Sequence, residues 1–157
     1  MVYKIKSCSD YGDDFYKVKY NLLSETQRKR VDTLKDIKDK KLSILGLSLA
    51  GELLHRDPKE IYYIDGKPSH EKAFLSITHK YPYVGVCIST KPIGIDIETI
   101  RDIDKTTLRY LKAHDSLEAL IEWTKNESLF KSALDKNYKF KTMLIDKSFV
   151  MTICEEA

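Results

Sequence analysis

The sequence predicts an α+β fold made of two similar halves, each a helical segment followed by a pair of antiparallel strands, packed about a pseudo-twofold. Three observations carry that expectation. A helical text runs from Ser24 to Arg56, with Leu42, Leu45, Leu49 and Leu53 recurring at three- and four-residue spacing. A second helical text fills residues 101–134. Each is followed by strand-like runs bounded by turn signals, "AFLSITHKYPYVGVCIS" after the first and "YKFKTMLIDKSFVMTICEEA" after the second. The halves are placed at residues 1–90 and 91–157. It is the order of elements, not residue identity, that suggests the repeat.

Taken in order, "MVYKIKS" alternates as a strand does. In the helical text that begins at Ser24, the basic residues Arg28, Lys29, Arg30, Lys35, Lys38, Lys40 and Lys41 are interleaved with Asp32, Asp36 and Asp39. This mixture reads as a solvated helix face. In "IYYIDGKPS", Asp65-Gly66 supplies a turn and Pro68 is expected to end any strand ladder. "AFLSITHKYPYVGVCIS" reads as strand, tight corner, strand. "KPIGIDIETI" reads as a further strand, and the C-terminal pair joins near Asp146-Lys147.

A chain of 157 residues with 42% hydrophobic and 32% charged residues suits a soluble protein of one domain, or two small halves around a shared core. No apolar run approaches the roughly 20 residues that span a bilayer, and "MVYKIKSCSD" lacks the apolar block of a signal peptide. Cys8, Cys87 and Cys154 are odd in number and far apart, which suggests neither a disulfide framework nor a zinc site and makes a reducing cytoplasm the expected setting. The formal charge of +3 is too slight to suggest nucleic acid as a partner.

The chemistry begins at "IGIDIE", Ile93–Glu98. On a strand, residues two apart share a face, so the isoleucines pack inward and Gly94, Asp96 and Glu98 line the other side. Two carboxylates about 7 Å apart on one face repel unless water screens them or a cation sits between them. From these six residues alone both readings stay open. At about 100° per residue, Leu120, Trp123, Glu127, Phe130 and Leu134 form one helical stripe with Glu127 near its middle. A carboxylate on a buried face is costly unless paired or metal-bound. Lys131, one turn on, offers the pairing, and Asp96 with Glu98 offers the shared hard-cation site.

Four strings occur in order: "GKP" at Gly66–Pro68, "LSITH" at Leu75–His79, "GIDIE" at Gly94–Glu98 and "WTKNESLFK" at Trp123–Lys131. In this combination the chain resembles the 4′-phosphopantetheinyl transferase superfamily, closest to the surfactin-synthetase-activating type in a compact form. The resemblance covers roughly Ser24 to the C-terminus. It implies an enzyme that moves the phosphopantetheine arm of coenzyme A onto a serine of an apo acyl or peptidyl carrier protein. It further implies that Asp96, Glu98 and Glu127 bind magnesium, that Glu127 acts as or orients the base for the carrier serine, and that Lys131 holds the pyrophosphate and stabilises the leaving 3′,5′-adenosine bisphosphate. Lys67 and Pro68 would line the adenine side, with Thr78 and His79 on the 3′-phosphate. A basic residue of the long helix reaches the coenzyme phosphates in the family; Lys40 and Lys41 both stand there, and Lys41 is taken. Phosphoryl transfer depends on positioning and charge neutralisation, which suits these residue types. Trp123 is expected in the core, and Leu108, Tyr110 and Leu111 are expected to form the carrier-docking surface.

The chain also departs from the pattern. Asn126 stands where the family usually has lysine before the helix glutamate, and Lys125 is one step, about 100°, away. Thr78 replaces the more usual serine but keeps the hydroxyl. The second half is short. These departures support an alternative of a different class, a non-catalytic homologue that binds coenzyme A or a carrier. An unrelated magnesium phosphohydrolase using the same acids gains nothing from "GKP" and "SITH".

Overall fold

Ser24 starts its helix with a capping box: its hydroxyl accepts from the Gln27 amide, and the Gln27 side chain accepts from the Ser24 amide. The Gln27 side chain, itself buried, also donates to the carbonyls of Pro58 and Ile61, at 2.7 and 2.8 Å, tying the helix start to the loop ahead of the next strands. The computed structural model describes residues 1–157. It is a mixed α+β chain of eight strands and five α-helices, divided into two compact units, Met1–Thr90 and Lys91–Ala157.

In the first unit, β1 (Val2–Ser7), α1 (Asp13–Asn21), α2 (Glu25–Thr33) and α3 (Ile37–Leu54) precede the hairpins β2 (Tyr62–Ile64) with β3 (Lys67–Ser69) and β4 (Phe74–Lys80) with β5 (Tyr83–Ser89). The antiparallel sheet runs β1-β5-β4, and α3 packs on β4 and β5. Leu42, Leu45 and Leu49 are fully buried as the spacing predicts. Burial extends further round the helix, taking in Ile44, Leu47 and Ala50, because α1 and α2 pack against α3 as well. The helical text from Ser24 is not continuous. Leu34 is extended and Asp36 caps α3, its carboxylate accepting from the Lys38 amide at 2.7 Å. The helix α1 lies outside the elements the sequence predicts, its text "DDFYKVKYN" being short and polar on average. Pro68 does not end the ladder: it pairs with Tyr63 inside a two-residue hairpin whose turn, Asp65-Gly66, has φ of 49° and 79°.

In the second unit, β6 (Ile93–Thr99), α4 (Lys105–Leu111), α5 (Ser116–Ser132), β7 (Tyr138–Ile145) and β8 (Phe149–Glu156) form an antiparallel sheet in the order β6-β8-β7. Each unit therefore pairs its first strand with its last, and the last strand lies in the middle. No helix is long and apolar enough to cross a membrane.

The buried side of α5 differs from the predicted stripe. Trp123 is 41% exposed and Phe130 69% exposed, whereas Ala119, Leu120, Thr124, Ser128 and Ser132 are buried. The reason is the separation between helix and sheet. A Cβ added to Gly94 would lie 1.9 Å from the Ser128 carbonyl oxygen and 2.6 Å from the Ser132 nitrogen. Backbones this close admit only small side chains between them, so the helix presents hydroxyl residues rather than its large aromatics. Those hydroxyls are satisfied locally: Thr124 donates to Ile121, Ser128 to Lys125 and Ser132 to Leu129 carbonyls. Thr152 of β8 bonds Thr124 at 2.8 Å and Thr142 of β7 at 2.9 Å.

The space that a methyl at residue 94 needs is held by helix backbone, which has no rotamer to yield. Gly94→Ala is expected to cost about 3 kcal/mol or more, beyond the usual range for overpacking, or to prevent folding. Urea denaturation of the variant beside the wild type checks this.

Candidate functional site

Asp96 is buried on β6, two residues beyond the point where α5 touches the strand at Gly94. The even-numbered face of "IGIDIE" is thus neither solvent-facing nor open along its length, because the helix covers Gly94 and reaches Asp96. Four residues on from Glu127 and three from Ser128, Lys131 donates from Nζ to Asp96 Oδ1 at 2.5 Å. The Asp96 side chain is 9% exposed and that of Lys131 28%. Burial raises the pKa of Asp96; Lys131 opposes that shift, and the charges of Glu98 and Glu127 add to it. The acids on β6 and the helix glutamate therefore act on one another electrostatically.

Asp96, Glu98, Glu127 and Lys131 are thus gathered in one unit, on the edge where the C-terminal half of α5 crosses β6. Their side chains do not stand as a ready group of three metal ligands. The ion pair that the sequence offered between Lys131 and Glu127 is instead made to Asp96 across the helix–strand contact. Glu127 is half-buried beside the stripe rather than at its centre. In chemical type, three carboxylate donors from two rigid elements suit a hard, oxygen-preferring dication such as magnesium. Lys125 turns elsewhere: it pairs with Glu122 at 2.7 Å and lies 6.0 Å from the Phe140 ring centroid, while Asn126 is exposed.

The coenzyme residues of the resemblance fall in the first unit. Pro68 and His79 line one cleft of about 440 Å³, within the range of small-ligand sites. Lys67 is exposed next to Pro68 on β3. Thr78 does not join them. Successive residues of β4 point to opposite faces, so Thr78 is buried while its neighbour His79 is exposed in the cleft. Nor does Lys41, which is paired with Asp13 at 2.7 Å and lies over the Tyr16 ring in a separate cleft of about 510 Å³ between α1 and α3.

Sequence reading missed Arg30, grouping it with the solvated basic face. Its guanidinium lies 4.3 Å from the Tyr63 ring centroid and donates to the Gly66 carbonyl at 3.2 Å, and both residues line the cleft with Pro68 and His79. The aromatic ring and the carbonyl together fix a cation at the cleft edge, and Thr33 and Ser43 add hydroxyls to its lining. A signal was present: Arg30 follows the buried Gln27 by three residues and precedes the buried Val31, which puts it on the border of the packed face. Trp123, expected in the core, lines a cleft of about 400 Å³ with Arg101, Thr107, Leu111 and Leu120. Tyr110 is 81% exposed, while Leu108 and Leu111 are half-buried.

No protein-family profile matches the chain, and no curated protein matches it.

The pairing of Lys131 with Asp96 gives a signed stability expectation. A carboxyl whose folded pKa lies above its unfolded value gains nothing below the unfolded value and loses stability as pH rises through the folded one. Removing the ammonium by Lys131→Ala raises the folded value of Asp96 further. The variant is expected to lose about 1.5–3 kcal/mol at pH 7.5, the range for a hydrogen bond to a charged group, and to lose less near pH 3, below the ordinary aspartate pKa of about 3.9, where most of the unfolded chain also carries a protonated Asp96. Denaturant titrations of wild type and variant at the two pH values measure it.

Proposed function

We propose that this chain transfers the 4′-phosphopantetheine arm of coenzyme A to a serine of an apo acyl or peptidyl carrier protein, with magnesium, releasing 3′,5′-adenosine bisphosphate. The observation that carries the reading is that residues of two separate motifs, "GIDIE" and "WTKNESLFK", meet where α5 crosses β6, with Lys131 on Asp96 and with Glu98 and Glu127 close enough to shift the Asp96 carboxyl. Further support comes from the shared strand order of the two units, as the expected pseudo-twofold pair requires, and from the cleft that joins Pro68 and His79 to Arg30 and Tyr63.

In this reading Asp96, Glu98 and Glu127 hold the magnesium ion, which when bound neutralises pyrophosphate charge. Glu127 accepts the proton of the carrier serine hydroxyl as the oxygen–phosphorus bond forms and the bond to the departing bisphosphate breaks. Lys131 offers its ammonium to the charge that develops on the leaving phosphate. Tyr63 and Pro68 face the adenine, and Arg30 supplies the cation for the 3′-phosphate, with His79 beside it. Magnesium, coenzyme A and the carrier protein are thus the partners of one reaction.

The alternative, a homologue that binds coenzyme A or a carrier without transfer, draws on Asn126 and on the short second half. The two are separated by intact-mass spectrometry of a panel of apo acyl and peptidyl carriers incubated with coenzyme A and magnesium. The transferase reading expects a mass gain of one phosphopantetheine arm that a chelator abolishes. Unmodified carriers across the panel, with coenzyme A bound in calorimetry, would establish the binder. Glu127→Gln keeps the size of a half-buried helix side chain, so it is expected to fold normally and lose transfer by at least about 100-fold, the lower range for a general base. Activity within a few-fold of wild type would remove Glu127 from that role.

A further inference from the structure

The cleft of about 510 Å³ beside Lys41 takes no part in the proposed transfer. One wall is the α1 face that carries Tyr16, Lys17 and Tyr20; the other is the α3 face that carries Ile37, Lys40 and Ile44. Polar bridges cross it near both ends of α1. At one end Lys41 pairs with Asp13 at 2.7 Å, and at the other the Tyr20 hydroxyl donates to the Asp32 carboxylate at 2.8 Å. Tyr16 turns its hydroxyl away, donating to the Cys8 carbonyl at 2.8 Å. Both tyrosines therefore offer ring rather than hydroxyl to the space between the bridges, and the buried Val31 and Ile44 complete its floor. Water in such an interior finds few partners, whereas an apolar group needs none.

The charges around this slot are unevenly spent. Both acids are engaged, Asp13 by Lys41 and Asp32 by Tyr20, and Arg28, one turn before Asp32, lies near enough to act on the Tyr20 hydroxyl. Lys17 and Lys40 line the slot without an ion pair, and Lys40 is half-buried. A cation held partly out of water with no counter-ion favours an anion beside it. Between Asp13 and Asn21 the α1 wall runs for about 12 Å at 1.5 Å per residue, a length that suits an extended chain better than a compact ring system. We infer that this slot binds an unbranched amphiphilic carboxylate, a medium-chain fatty acid, with its chain along the tyrosine rings and its carboxylate on Lys17 and Lys40. The inference is independent of the transferase reading: of the residues tied to coenzyme or metal by resemblance, only Lys41 lines the slot, and it is spent on Asp13.

The test is calorimetric titration of the full chain with sodium decanoate below its micelle concentration, with amide NMR to place the ligand. The expectation is one saturable site with a Kd of about 1 mM or tighter, and shifts centred on Tyr16, Lys17, Tyr20, Lys40 and Ile44. The double variant Lys17→Gln with Lys40→Gln alters only an exposed and a half-buried helix position, and is expected to fold and to bind at least about fivefold more weakly. Ile37→Glu, at a position 63% exposed on the slot's rim, removes apolar wall and adds a like charge, and is expected to weaken binding as much. Decyltrimethylammonium, with the same chain and the opposite charge, is expected to bind at least about tenfold more weakly than decanoate. Equal affinity for the two amphiphiles, or unchanged decanoate affinity in the double variant, overturns the inference. So do the lack of saturation by about 10 mM decanoate and shifts centred instead on Tyr63, Pro68 and His79. Binding to phosphatidylglycerol vesicles without binding of monomeric decanoate would make this face a membrane contact and overturn it as well.

Discussion

The close approach of α5 to β6 at Gly94 is the constraint on which the acidic site depends. With helix backbone 1.9 Å from where a Cβ would stand, the two elements have almost no freedom to slide or rotate against each other. Moving one strand repeat along from that point reaches Asp96, and moving one residue round the helix from Ser128 reaches Glu127. A further turn reaches Lys131. The juxtaposition of a buried carboxylate and a lysine 35 positions later is thus set by a glycine and a row of serines and threonines, none of which has chemistry of its own. The hydroxyls of Thr124, Thr142 and Thr152 form a bonded row beneath the helix and complete the polar satisfaction of a contact too tight for water.

A comparable economy appears in the first unit. The α2 helix is anchored by Gln27, whose amide reaches two carbonyls of the loop leading to β2. That anchor sets where Arg30 emerges, and Tyr63 and the Gly66 carbonyl then hold its guanidinium at the cleft edge. The primed turn at Asp65-Gly66 matters here because its geometry presents the Gly66 carbonyl to the arginine and carries Pro68 back alongside Tyr63. The candidate site residues in both units are therefore held by backbone-level contacts rather than by the apolar cores themselves.

Much of this was legible in the residues. The strands of "SITHKYPYVGV" and "IGIDIE", the hairpin at Asp146-Lys147 and the long leucine-rich helix all follow from period and turn chemistry. The α+β class follows from their order. What failed did so for physical reasons. The stripe on α5 was sought in its large apolar residues, but the gap to the sheet selects small ones, and Trp123 and Phe130 are left outside. Thr78 and His79, adjacent on a strand, face opposite sides of it, and Lys41, one of two lysines the sequence offered, is paired with Asp13. Arg30 was hidden because a cation bordering a packed face and one in open solvent look alike in sequence. Its stacking partner lies 33 residues away, beyond any local pattern.

The central claim is that the acids of β6 and the glutamate of α5 share one divalent cation. Crystals grown with manganese and coenzyme A, measured at the manganese absorption edge, test it most directly. The account predicts one strong anomalous peak within coordination distance of Asp96, Glu98 and Glu127. A map without a peak there while the coenzyme is bound would contradict it.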